Sequence, residues 1–384
     1  MAEQGFSFFV AVCFALNYIM GCGFLGVPEA FVDAGILLGI VLLVIFGYFC
    51  NVTKDYILEA MGRMEALTKT KERTVMTRLG VAASAGPFQS DDFLVTNRKF
   101  ELTDLTERLM GRWAKVAYVV ILSLYMYGAL WAYTAVFGAS MAANVPLFGH
   151  TCNVEVCRGT SPLADARPHP HPQDGDCEQP YHLWLLVFAG IVVPLSCMDL
   201  EEQISVQVTM SVGRFGGSRV IVVFLMVGSV FAALTCDGYA FSQFHTPKRG
   251  MHISTDTKWS GLSALIPVAV YASIFHHSIP VIAQPVRDKT HLRSIFAAAF
   301  GITTAFYIFI GIVLAGYFGE GVDHQCNLNW EYYIGCQKTP DSPRSAFASF
   351  VRFVVLIFPA LDVMSAFPLN AITLGNNVMV SVCG

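Results

Sequence analysis

Long stretches without a formal charge constrain this chain more than any other feature. Residues 5–28, 35–52 and 116–148 contain no Asp, Glu, Lys or Arg. Residues 183–198, 220–235, 260–286 and 294–319 repeat the pattern, and 347–374 close the series, interrupted by Arg352 and Asp362. Only 14% of the residues are charged, less than a soluble domain of this size needs to cover itself, and they collect between the runs. A membrane-spanning helix takes roughly 20 mostly apolar residues, so the runs predict about eight crossings in an all-α integral membrane protein. The runs at 183–198 and 220–235 are shorter and need polar flanking residues to span. A signal peptide does not fit the first run, which opens with Glu3 and no basic residue and is too long.

Basic residues set the orientation. The segment between the second and third runs, about 61–115, holds Arg63, Lys69, Lys71, Arg73, Arg78, Arg98, Lys99, Arg108, Arg112 and Lys115. Arg287, Lys289 and Arg293 follow the sixth run, whereas the loop at about 146–181 carries only Arg158 and Arg167. The positive-inside rule places the amino terminus and the basic segment in the cytosol. Loops 146–181, 236–259 and 320–346 then face outward or into a lumen. The portion 68–99 is polar and without periodicity, and is expected to be a linker open to a cytosolic partner.

The cysteines agree with that orientation. Cys152, Cys157 and Cys177 share one outer loop, Cys326 and Cys336 another, and Cys236 ends the fifth run on the same side. An even set on the oxidising side suggests disulfides, with Cys326–Cys336 the favoured pair and Cys152 and Cys177 further candidates. The basic inner segment has no cysteine, and the sequon at Asn51 falls at a cytosolic helix end. His169 and His171, set among prolines without a third ligand, read as loop rather than metal site. Arg214 and Arg219 read as interfacial anchors.

Two runs are built to break. Asn17-Tyr-Ile-Met-Gly-Cys-Gly-Phe-Leu-Gly-Val-Pro28 places Gly21, Gly23, Gly26 and Pro28 inside what should be a membrane helix. Glycine weakens a helix and proline removes a donor, and in lipid freed backbone groups need another partner. In the sixth run, Ser273-Ile-Phe-His-His-Ser-Ile-Pro280 is equally poor material for a continuous helix. Interruptions at corresponding positions of two halves point to a transport site and to a five-plus-five inverted repeat. Helix one is expected to stop near Met20 and a half-helix to start near Val27. The N–H groups from Gly23 through Phe24 to Gly26 would then favour a carboxylate. The competing reading is a small-residue packing face.

These residues resemble the amino acid/auxin permease family, part of the amino acid–polyamine–organocation superfamily with the LeuT-like fold, nearest its transmembrane protein 104 branch. The resemblance rests on residues 17–35, on Leu124-Tyr-Met-Tyr-Gly128 and on Phe275-His-His-Ser-Ile-Pro280. It extends through Val351-Arg-Phe, Phe367-Pro and Thr373-Leu-Gly-Asn-Asn377. It implies a coupled amino acid carrier. Substrate would be held by Gly21, Cys22, Gly23 and Gly26 with Phe275, His276 and His277, and Tyr125 or Tyr127 would line the pocket wall. Asn17 matches the asparagine before the first break, beside which sodium-coupled members hold a cation.

Asp362 stands in the middle of the last run. An aspartate at the bilayer centre costs about 2.5–3.5 kcal/mol on insertion scales and usually marks an ion or proton path. The resemblance puts a threonine there in sodium-coupled relatives, so Asp362 departs from the pattern and could hold a cation or carry a proton. A structural bond to a helix break or to Arg214 is the competing reading. The adjacent His276 and His277 point in different directions, and capping of the broken helix competes with a coupling role for either.

The division expected is a first repeat over 1–235 and a second over 236–384. The second would lack two of the ten helices of the LeuT-like fold, as in a truncated sequence. The function expected is secondary active transport of small amino acids through a plasma or endolysosomal membrane, driven by H+ or Na+, with no other cofactor. The alternative is a transporter-like sensor or scaffold without net flux. A metal-ion permease is disfavoured by Gly-Cys-Gly at the first break, a heptahelical receptor by the two breaks themselves. No nucleophile–base constellation, phosphate loop or nucleic-acid footprint suggests an enzyme or a nucleic-acid partner.

Overall fold

In the computed structural model, residues 6–78, 95, 101–145, 178–197, 217–242, 256–339 and 342–383 are described. Helices dominate them. The first run divides into α1 (Phe8–Ile19), a 3-10 turn (Cys22–Gly26) and α2 (Val27–Ala34). Then come α3 (Ile36–Arg78), α4 (Leu102–Met110), α5 (Arg112–Asn144), α6 (Glu178–Cys197) and α7 (Gly217–Thr235). Strand β1 (Tyr239–Phe241) precedes α8 (Leu262–Ser273), α9 (Ile279–Ala283) and α10 (Leu292–Phe318). Strand β2 (Tyr333–Gln337) and α11 (Ala346–Cys383) complete the order.

Five segments are long and apolar enough to cross a membrane: Ile36–Arg78, Arg112–Ala142, Trp259–Ala283, Lys289–Gly321 and Ala346–Gly375. The fourth and fifth runs lie on the shorter apolar helices Tyr181–Cys197 and Ile221–Thr235, and the first run is divided. Helix α3 has 43 residues and is therefore about 65 Å long, roughly twice the hydrocarbon thickness. The linker expected from residue 68 thus begins as helix and stays so to Arg78. Glu59 and Arg63 pair one turn apart, and the hydroxyls of Thr68, Thr70, Thr74 and Thr77 each bond the carbonyl four residues back.

The chain separates into two compact units. Unit one gathers Met1–Met20, Ile40–Leu122 and Ile266–Ile308. Its core joins Ala11, Ala15 and Ile19 of α1 to Phe275, Ile279, Ile282, Phe296 and Phe300. A parallel bridge ties its amino terminus down: Phe6 N–H donates to Pro285 O at 2.7 Å, and Arg287 N–H to Phe6 O at 3.0 Å.

Unit two gathers Gly21–Gly39, Ser123–Leu265 and Phe309–Gly384. Helix α2 ends at Gly35, whose φ of 94° suits glycine, and a Cβ there would collide with the Asp256 carbonyl. In this unit Phe137 stacks on Phe188, and Phe188 meets Phe367 edge-on. The segment Cys326–Tyr332 forms a buried 3-10 turn whose Trp330 Nε1–H donates to Ser229 Oγ at 2.8 Å.

The favoured disulfide is corrected here. Cys336 bonds Cys236, with Cα atoms 5.7 Å apart. Strand β1 pairs antiparallel with β2, Tyr239 opposite Gln337, and this register sets Cys236 beside Cys336. Cys326 lies in the preceding buried turn, and burial pushes its thiol above the ordinary range. Cys152, Cys157, Cys177, His169, His171 and Arg214 lie outside the described residues.

Candidate functional site

The first break begins where α1 stops. Met20 is the helix cap, its N–H donating to Leu16 O at 2.9 Å. Three residues on, the carbonyl of Ile19 accepts from the hydroxyl of Tyr307 on α10 at 3.2 Å. Both residues are buried in unit one. The sequence explains the stop: Gly21 takes φ −44°, ψ −153°, outside any helix, and the chain then tightens into the 3-10 turn. Pro28 falls within the first turn of α2, where its missing N–H does no harm. Asn17 sits on α1, three residues before the cap.

On the other side of this break, in unit two, Cys22 and Phe24 are buried while Gly21, Gly23 and Gly26 are half-buried. The turn packs against α11 and against the 3-10 turn Cys326–Tyr332. A Cβ built on Gly21 would have the Tyr133 hydroxyl as its nearest neighbour, at 3.9 Å. Asn370 Nδ2 of α11 donates to that hydroxyl at 3.2 Å. Tyr125 lies near Cys22. Tyr127 is 59% exposed and meets the exposed Trp131 edge-on. Of the two tyrosines considered, Tyr125 is turned toward the break and Tyr127 away from it. Glu29, in the first turn of α2, meets the imidazole of His324 with its carboxylate.

The second break lies in unit one. Helix α8 ends at Ser273, a 3-10 turn covers His276–Ser278, and α9 follows with Pro280 in its first turn. Phe275 takes φ −152°, ψ 0°, and its carbonyl accepts from Ser278 N–H at 2.9 Å. Its ring is buried between Phe296 and Phe300, so the side chain serves the core and only the backbone is presented at the break. His276 reaches α3: its Nε2 lies 3.1 Å from Cys50 O and 2.7 Å from Thr53 Oγ1. A carbonyl can only accept, so Nε2 carries the hydrogen. Thr53 Oγ1–H itself donates to Phe49 O at 2.8 Å. His276 is thereby a brace between the broken segment and α3. His277 is half-buried.

Asp362 is 5% exposed, midway along the apolar part of α11, in unit two. Asn370 follows it by two turns and lies on a similar face. Among the described residues no cluster of His, Cys, Asp or Glu could hold a metal ion.

Three residues escaped sequence reasoning: Tyr133, Asn370 and Thr53. One signal for the first was available. On a helix, positions 125 and 127 are about 200° apart, while 125 and 133 are about 80° apart, so a site near Tyr125 also brings in Tyr133. Thr53 and Asn370 act through contacts distant in sequence and leave no local trace.

Comparison with known proteins adds to this geometry. The family model described as "Transmembrane amino acid transporter protein" matches residues 4–372. The Transmembrane protein 104 homolog of Caenorhabditis elegans is 24% identical over 369 residues, covering 96% of this chain and 67% of the relative. Transmembrane protein 104 of Homo sapiens is 25% identical over 410 residues, covering 97% and 74% respectively. The Dictyostelium discoideum homolog is 20% identical over 411 residues, covering 96% and 75%.

Proposed function

The chain belongs to the family of transmembrane amino acid transporter proteins, and we propose that it carries small amino acids across a membrane by alternating access, driven by a proton or sodium gradient. The observation that carries this reading is the pair of interrupted apolar segments, α1–3-10–α2 and α8–3-10–α9. A break in a membrane helix exposes peptide groups that lipid cannot satisfy, and such a break is tolerated where it lines a cavity.

In this reading the turn Cys22–Gly26 and the positive end of α2 receive the substrate carboxylate, and Gly21 leaves room beside the Tyr133 hydroxyl. Tyr125, Tyr133 and Asn370 shape the wall. The second break presents its backbone at Phe275, with His276 fixing the segment to α3 and His277 in a coupling role. Asn17 and Asp362 serve the coupling ion, Asp362 either as a charge for a cation or as a proton carrier. The architecture proposed is the LeuT-like inverted-repeat bundle, its eight crossings comprising the five long apolar helices, the two shorter ones and the divided first run. The amino terminus lies in the cytosol, and the host is a plasma or endolysosomal membrane.

Uptake of a labelled small neutral amino acid into proteoliposomes, under an imposed proton or sodium gradient, tests the reading. Gradient-dependent uptake that is lost in Asp362→Asn supports it. Uptake indifferent to both gradients removes the coupling.

A further inference from the structure

Helix α2 has eight residues, too few to hold itself without neighbours, so its contacts decide its stability. At its far end the backbone supplies them. Lys258 N–H donates to Ala34 O at 2.9 Å, and Gly35 lies against the Asp256 carbonyl. At its near end a side chain does so: His324 Nδ1 meets Glu29 Oε1 in the first turn of the helix. The His324 side chain is 60% exposed and that of Glu29 16%. Solvent protons therefore reach the imidazole, while most of the carboxylate side chain lies within the packing.

The contact joins two turns of unit two. Glu29 follows the turn Cys22–Gly26 by three residues, and His324 precedes the turn Cys326–Tyr332 by two. The two turns pack against each other, with Cys22 and Phe24 buried. A histidine is ordinarily charged below about pH 6.5 and neutral above it. A charge-assisted bond to a carboxylate is roughly twice as strong as a neutral one. The other charged groups on α2, on the segments packed against it and around His324 are Asp33, Asp256, Lys258, Glu320, Asp323 and Glu331. Lys258 pairs with Glu320 at 4.0 Å, and Gln325 N–H donates to Asp323 Oδ1 at 3.4 Å. Asp33, Asp256 and Glu331 are held in interactions of their own. None of these groups is of a type that titrates between pH 6 and 8.

We propose that His324 and Glu29 form a pH-sensitive clasp. Protonation of His324 fastens the loop 322–325 to the first turn of α2 and holds the turn Cys326–Tyr332 against Cys22–Gly26; loss of the proton loosens both. The clasp operates whatever the first break receives, and it is read without transport. The test is hydrogen–deuterium exchange of peptides covering 22–34 in the full chain in lipid nanodiscs, at pH 6 and pH 8. Chains are compared at the same pH, so that intrinsic exchange cancels. An ion pair this exposed is worth up to about fivefold in an equilibrium. At pH 6 the unmodified chain should therefore exchange there up to about fivefold more slowly than H324Q or E29Q. At pH 8 the slowing should shrink to about twofold or less, since the neutral bond is roughly half as strong. H324K, which stays charged, should keep slow exchange at both pH values, and it keeps the test decisive if a glutamine variant misfolds. The double variant E29Q/H324Q should exchange no faster than either single one. Slowing of the same size at pH 6 and pH 8 overturns the proposal, because the contact is then a hydrogen bond indifferent to the proton. Equal exchange of the unmodified chain and both single variants at pH 6 overturns it as well.

Discussion

The hydroxyl of Tyr307 donates to the carbonyl of Ile19 at 3.2 Å, closing the end of α1 from a helix that begins more than 270 residues later in the chain. In lipid a freed carbonyl is costly, and this bond lets the first helix stop where glycine begins. Tyr307→Phe removes the donor and strands a buried acceptor. The expected loss is about 1–3 kcal/mol of unfolding free energy, measured by chemical denaturation in detergent micelles. An unchanged midpoint would mean that another donor caps α1.

His276 and Thr53 form a second brace, 2.7 Å apart in unit one. His276→Ala and Thr53→Val should each destabilise the protein, and the double variant should lose less than the sum. The expected coupling is about 0.5–3 kcal/mol, the range for residues in direct contact. Additive losses would show that the two side chains act independently.

The cysteines provide a chemical test. With a maleimide probe under denaturing conditions, Cys236 and Cys336 should label only after reduction, since they are bonded to each other. Cys326 should resist labelling in the folded protein and react once it is unfolded without reductant, because it is a fully buried free thiol. A Cys326–Cys336 bond would give the opposite pattern, with Cys236 free.

The tyrosines of α5 separate the site from the lipid face. Tyr127→Ala should leave amino acid uptake nearly unchanged, because the ring lies on the exposed face. Tyr133→Phe or Asn370→Ala should lower apparent substrate affinity about tenfold, equivalent to roughly one hydrogen bond. A larger effect at Tyr127 than at Tyr133 would reverse the assignment of faces.

Local chemistry made both breaks legible. Gly21, Gly23, Gly26 and Pro28 punctuate the first run, and His276, His277 and Pro280 the sixth, because each acts on the backbone where it stands. The positions of the apolar runs were legible for the same reason. Contacts across the chain were not. The pairing of Cys336 depends on the register of two short strands, which places Cys236 nearer than Cys326. The burial of Phe275 depends on Phe296 and Phe300 arriving from α10, so a ring expected at the substrate is part of the core. The helical stretch to Arg78 was missed because its residues favour helix through side-chain pairs rather than through an apolar period.

Counter-flow in proteoliposomes tests the central claim most directly, with Gly21 as the variable. An alanine is accommodated there, its nearest neighbour being 3.9 Å away, so Gly21→Ala should fold and retain activity. Gly21→Leu should fold as well but fill the space beside Tyr133. The account predicts accumulation of labelled amino acid by the unmodified chain and by Gly21→Ala, and none by Gly21→Leu. Accumulation by Gly21→Leu equal to that of the unmodified chain, or none by the unmodified chain beyond empty liposomes, would contradict it.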